Sequence, residues 1–258
     1  MTIVFALKAD GGIVIGADKM ETYVMNSGEY LASVVNKIFP IGKNTLLGFS
    51  GNNKNEGTLI NFLRHNSKEL DNELWGTLNA LKKNIRKMDL EVQCLLCGIS
   101  SGDLSIVTLS ADKKAHSFSI DLIPQQYDIA GEIGVGLNVL DSTIHPYLEY
   151  AKKIGKEIDI RDAEFLVYSA INNMTKSGAT SIGKGIDLWT VRKSGNNVFV
   201  EQVDKRMMND LFETAYAYYK KKLNSAIDEA IDVLRELRMS EKSEQLLRGE
   251  KSRSKSSN

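Results

Sequence analysis

The first eighteen residues restrict the fold more than any other stretch. TIVFALK (2–8) and GIVIGA (12–17) are both apolar and rich in β-branched residues, and ADG lies between them. Two such runs around a Gly-containing turn predict an antiparallel hairpin. Neither run alternates cleanly with polar residues, so both of its strands are expected inside the protein.

A second pair follows, KIFPI (37–41) and TLLGFS (45–50), joined through Gly42, Lys43 and Asn44. From Glu56 to about Lys87 the apolar positions Leu59, Ile60, Phe62, Leu63, Leu70, Leu74, Trp75, Leu78 and Leu81 recur at helical spacing. HNSKELDN interrupts them, so this stretch reads as one or two helices. Strands return at 91–98, 103–109 and 115–120, and AGEIGVG then reads as a Gly-rich turn. Helices are expected over 136–152 and 161–176, and a closing hairpin joins 186–192 to 197–203 through KSGN. Strands, helices, strands, helices, strands in that order predict an α+β layered domain with antiparallel sheets.

Beyond Asp204 the pattern changes. Met208, Leu211, Phe212, Ala215, Tyr219, Leu223, Ala226, Ile227, Ala230, Leu234 and Leu237 step by three or four with no Gly or Pro among them. This predicts an amphipathic helix of about 35 residues, ~50 Å long, whose apolar stripe packs on its own domain or on another subunit. The expected organisation is therefore a domain over 1–203, a helical extension over 204–247 and a basic, disordered tail over 248–258.

Composition narrows the function. The chain has 258 residues, and its 33 basic and 33 acidic side chains cancel, so no overall field favours nucleic acid or an anionic membrane. It contains no apolar run long enough for a membrane helix and no basic-then-apolar secretory leader, so a cytoplasmic protein is expected. Cys94 and Cys97 sit three apart in a predicted strand and point to opposite faces, which suits neither a disulfide nor a shared metal ion. His65, His116 and His145 show no HxxxH or HExxH spacing and are expected on the surface or at helix ends; no metal or cofactor is expected. The GVG of AGEIGVG lacks the full GxGxxG after a parallel strand, so it does not read as a nucleotide site.

The residue behind Met1 is Thr2. Methionine removal would expose a free α-amine on a hydroxyl residue. With an unperturbed pKa of about 7.7–8, that amine can take the hydroxyl proton directly or through a water. A lysine nearby would favour the deprotonated forms, and a carboxylate would hold the lysine charged and oriented. Asp18, at the end of the second strand, and Lys37, at the head of the third, are placed to supply these groups.

Thr2, GADK with Asp18, KIFPI with Lys37 and FSGNN with Gly51 occur in the order and spacing of the β-type subunits of the 20S proteasome and their bacterial relatives. The chain resembles these N-terminal nucleophile hydrolases over residues 2–203. EVQCLLCGIS, AEFLVYSAINNMTKSG and GIDLWTVRKSGNNVFV are similar to the family's central strand, later helix and closing hairpin.

The resemblance implies a four-layer αββα sandwich of two antiparallel sheets, and a threonine-type peptidase acting on a polypeptide substrate within a ring or related homo-oligomer. It implies Thr2 as nucleophile, Asp18 and Lys37 as the groups that tune it, and the Gly51 N–H as oxyanion donor. Thr22 would bind substrate through its backbone, and Phe49 would line the pocket or serve as a core aromatic.

Two supporting features depart from the family. Where a Ser is expected in the first Gly-rich turn, this chain has Glu132 or Gly134. In SGATSIGKG, Ser181 matches the later Ser while no Asp matches the acid, and Thr180 or Ser177 could supply a hydroxyl. The altered shell opens two alternatives: a peptide ligase using the same acyl-enzyme, and a non-catalytic structural or regulatory subunit.

Overall fold

The computed structural model describes residues 2–24, 30–51, 53–66, 74–88, 92–112, 117–122, 129–134, 144–176, 185–204 and 206–208, with 210, 213, 217 and 221 singly. The chain divides into two units, Met1–Leu211 and Phe212–Asn258. In the second unit Glu213, Ala217 and Lys221 are described; all three are helical and exposed, at the four-residue spacing of one helix face. The remainder of the predicted long helix, and the basic tail, lie outside the described residues.

In the first unit the head of the chain forms the predicted hairpin. β1 (Ile3–Ala9) pairs antiparallel with β2 (Gly12–Asp18) from Val4↔Ala17 to Ala9↔Gly12. Asp10 and Gly11 make the loop, and Gly11 takes φ +73°, which glycine adopts without steric cost. β2 also pairs with β11 (Ile186–Ser194), and β11 with β12 (Asn197–Gln202).

The fifth strand of this sheet corrects one expectation. Residues 130–136 read as a turn, yet β10 (Ile129–Gly134) is a strand paired with β1. The register runs Phe5↔Glu132 and then Ala6↔Ala130, which leaves Gly131 as the extra residue of a bulge. Glycine inside a strand marks such a place as often as it marks a turn.

The other sheet has the order β5 (Ile38–Ile41), β6 (Thr45–Gly51), β7 (Val92–Ser100), β8 (Asp103–Asp112), β9 (Ser117–Leu122), every pair antiparallel. A two-stranded sheet, β3 (Met20–Val24) with β4 (Tyr30–Val34), had no counterpart in the sequence reading. The helical stretch after β6 resolves into two helices, α1 (Asn53–His65) and α2 (Leu74–Met88). On the other side of the chain lie α3 (His145–Lys153) and α4 (Ile160–Lys176). Residues 135–143, where the first of these was expected to begin, lie outside the described residues.

Three apolar cores hold four layers together. Leu59, Leu63, Leu74, Leu78 and Leu81 of α1 and α2 pack on Leu47, Phe49, Cys94, Leu96 and Leu109 of the second sheet. Ala163, Leu166, Val167, Ala170 and Ile171 of α4 pack on Ile3, Phe5, Leu7, Val14 and Leu188 of the first. Between the sheets, Val4, Ala6, Ile13, Ile15, Ala17 and Val191 meet Ile38, Leu46, Leu95, Cys97 and Ile106. Burying both faces of both sheets explains why β1 and β2 are apolar at nearly every position. The architecture is the αββα sandwich expected. Cys94 and Cys97 point to opposite faces of β7, each fully buried in a different core.

The sheets approach closely at Gly48. A Cβ built there would lie 2.5 Å from Val4 Cγ1 and 3.1 Å from Ile15 Cδ1. Both neighbours are branched core side chains, so Gly48→Ala should force the sheets apart and cost about 1–3 kcal/mol. Urea unfolding checks this; a midpoint unchanged from the parent would mean the sheets accommodate the methyl group.

Between α4 and β11 lies a buried charge. Glu164 is fully buried, and its Oε1 accepts from Arg192 Nη2 at 2.9 Å. Burial raises its pKa above the usual glutamate value; Arg192 and then Arg161 pull it down, and Asp159 adds to the rise. A pKa raised by folding gives stability that is fully present below the unfolded value and is lost as pH rises through the folded one. The stability of Glu164→Gln relative to the parent should therefore improve as pH rises above the ordinary glutamate value of about 4.3. Denaturant titrations at stepped pH would read this, and a difference sloping the other way would mean that Arg192 outweighs burial.

Candidate active site

The end of β2 gathers the groups expected around Thr2. Asp18 closes that strand with its side chain fully buried. Its Oδ1 accepts from the Ile3 backbone N–H at 2.9 Å and from Lys37 Nζ at 2.8 Å, and its Oδ2 accepts from the Met20 N–H at 3.2 Å. Lys37, 4% exposed, stands just before β5 and also donates to the Met20 carbonyl at 2.6 Å. Isolating either charge in this setting would be costly. Here the carboxylate receives two backbone donors and the ammonium, and the ammonium meets a second acceptor, which is the condition under which a buried ion pair is tolerated.

Thr2 is tied to this pair through the chain itself. The Ile3 nitrogen that donates to Asp18 is bonded to the Thr2 carbonyl carbon, so the Asp18 contact fixes where the partly exposed Thr2 begins β1. Ile3, Phe5 and Leu7 face the helices, while Val4 and Ala6 face the other sheet. Strand alternation puts Thr2 on the Val4 side, which faces the second sheet.

The second sheet brings Gly51 alongside. The Phe49 N–H donates to the Lys37 carbonyl at 2.9 Å, which fixes β6 against the lysine. Gly51 is the last residue of β6, two positions on. In a strand, N–H groups two apart point the same way, so the Gly51 N–H turns toward the β5 side. β5 begins only at Ile38, paired with Gly48, and among the described residues no strand of that sheet covers Gly51 on this side.

The other predicted site residues are placed as follows. Thr22 lies on β3 opposite Ala32, and among the described residues β3 pairs with β4 alone. Phe49 is 1% exposed among Leu59, Leu63 and Leu74, in the core between the second sheet and its helices. Of the two candidates on β10, Glu132 pairs opposite Phe5 and Gly134 opposite Ile3, so Gly134 comes nearer to Thr2. Ser181, Ser177 and Thr180 lie outside the described residues.

Three partners in the cluster, the Ile3 N–H, the Met20 N–H and the Met20 carbonyl, carry no sequence signal because they are backbone groups. Burial pushes the thiols of Cys94 and Cys97 far above the usual range, so neither is a competing nucleophile. Among the described residues no three His, Cys, Asp or Glu side chains are grouped to hold a metal ion, and no helix is long and apolar enough to cross a membrane.

The sequence model of the proteasome-subunit family matches residues 2–88. No curated protein matches the chain. Among solved structures, a Gly-1 mutant of Anbu from Hyphomicrobium sp. strain MC1 is similar with a TM-score of 0.61 at 13% identity, over 87% of this chain and 97% of that one. Anbu from the same strain gives a TM-score of 0.58 at 16% identity, over 86% and 97%. At these identities the likeness is one of fold.

Proposed function

We propose, from the family model's match over residues 2–88 and the shared fold, that the chain is a proteasome-like subunit and a threonine-type peptidase whose nucleophile is Thr2, exposed by removal of Met1, acting in a homo-oligomeric assembly. The observation that carries this reading is the buried Asp18–Lys37 pair hydrogen-bonded to the Ile3 N–H, at the residue that follows Thr2.

In this mechanism Thr2 Oγ attacks a peptide carbonyl, and its proton passes to the Thr2 α-amine and on to the leaving amine. The Lys37 ammonium favours the alkoxide, and Asp18 keeps that ammonium charged and aimed. The tetrahedral oxyanion accepts from the Gly51 N–H, a donor that needs close approach and no side chain; losing one such donor typically costs about 10²–10³ in rate. Water then attacks the ester and returns Thr2 Oγ–H. Substrate lies extended along β3 near Thr22 through backbone hydrogen bonds.

A second reading follows from Gly134, which brings no hydroxyl to the register position beside Ile3. With that support missing, an amine in place of water would resolve the same ester as a ligation, or the subunit would be structural.

Intact mass before and after an epoxyketone or vinyl sulfone separates the readings. Loss of Met1 with one adduct on Thr2 supports the nucleophile, and product analysis with and without an added amine then distinguishes hydrolysis from ligation. Retained Met1 with no adduct would overturn the enzymatic reading in favour of the structural one.

A further inference from the structure

The sheet edges are not alike. β5, at one edge of the second sheet, carries Pro40, and β10, at one edge of the first, is bulged against β1, while β9, at the second sheet's other edge, has neither device. Proline and bulges are the usual devices that stop an edge from pairing with another chain. β12, at the other edge of the first sheet, has neither. Its six residues NVFVEQ pair with β11 in unbroken register, and Phe199 at their centre is 46% exposed.

The backbone of this edge can be followed residue by residue. The Val203 N–H donates inward to the Leu188 carbonyl at 2.8 Å. In an antiparallel ladder inward and outward residues alternate, so Asn197, Phe199 and Glu201 also bond toward β11. Val198, Val200 and Gln202 therefore turn both N–H and C=O outward, where β12 has no neighbouring strand among the described residues.

We propose that β12 pairs antiparallel with β12 of a second copy of this chain, about a two-fold axis through Phe199. In that register Val198 and Val200 of each copy exchange both backbone hydrogen bonds with Val200 and Val198 of the other, four bonds in all. The two Phe199 rings face each other at a non-hydrogen-bonded position, where side chains come closest, and an aromatic pair there is favourable. Glu201 stands opposite Asn197, so no like charges meet. Centring the axis on Val200 instead would set Phe199 against Glu201 and Val198 against Gln202. The strand is thus complementary to itself in one register, which favours a second copy over an unrelated extended peptide. The contact is independent of whether Thr2 is catalytic.

Cysteine cross-linking of the full chain tests the register. Phe199→Cys should give a disulfide-linked dimer on mild oxidation, because facing Cα atoms at such a pair are about 4.5 Å apart, within disulfide range. Glu201→Cys, whose partner position is Asn197, should not. The native Cys94 and Cys97 are buried and do not interfere. Val200→Pro removes an outward N–H without touching the β11 ladder, and it should lower the mass measured by sedimentation at unchanged circular dichroism. Cross-linking of both cysteine variants alike, or of neither, would overturn the proposal, as would an unchanged mass for Val200→Pro.

Discussion

Thr2→Ala should reduce peptide hydrolysis to background, a loss on the order of 10⁴–10⁶-fold, the range found when a covalent nucleophile is removed. The same variant should take no epoxyketone adduct. Its fold should survive, because Asp18 contacts the Ile3 backbone N–H, which alanine at position 2 leaves in place. The informative comparison is activity against thermal midpoint: activity gone with the midpoint held is the signature of a lost nucleophile. Residual activity above about 1% of the parent would refute the threonine mechanism.

Lys37→Met should have the second large effect, and it should show in two readouts. Removing the ammonium leaves the fully buried Asp18 carboxylate without its cation, a change that typically costs 3–5 kcal/mol when one partner of a buried pair is deleted. Activity should fall as well, since the positive field on Thr2 goes with it. The double variant Asp18→Asn/Lys37→Met separates the two effects. Deleting both charges should restore much of the stability, because the uncompensated carboxylate is gone, while activity stays lost. If the double variant were as unstable as the single one, the hydrogen bonds of Asp18 to Ile3 and Met20, and not its charge, would dominate the site.

The alternation of strand and helix signals was legible because burial on both faces of each sheet writes long apolar runs into β1, β2 and β7. β3 and β4 were not. METYV and YLASV mix polar and apolar residues, and nothing in their pattern separates them from a loop. β10 was misread for a different reason: Gly131 and Gly134 carry turn chemistry, and only the pairing with β1 shows that the first of them is a bulge.

In the site, Asp18 and Lys37 taken singly read as solvated charges at strand ends, and they pointed to a site only jointly with Thr2 and Gly51, in the order and spacing of the family. The Glu164–Arg192 pair did not stand out, because a charge on a predicted helix and another on a predicted strand, 28 positions apart, look like two solvated groups until the layers are assembled.

The two cysteines offer a use unconnected with catalysis. Cys94 belongs to the core under α1 and α2, and Cys97 to the core between the sheets, yet both stand on β7 only three residues apart. A thiol reagent added during partial unfolding would therefore record two separate clocks on one strand. If the sandwich opens in a single cooperative step, both thiols are modified at one rate. If α1 and α2 peel away first, Cys94 reacts while Cys97 stays protected, and the order in which the layers part can be read from a single peptide mass.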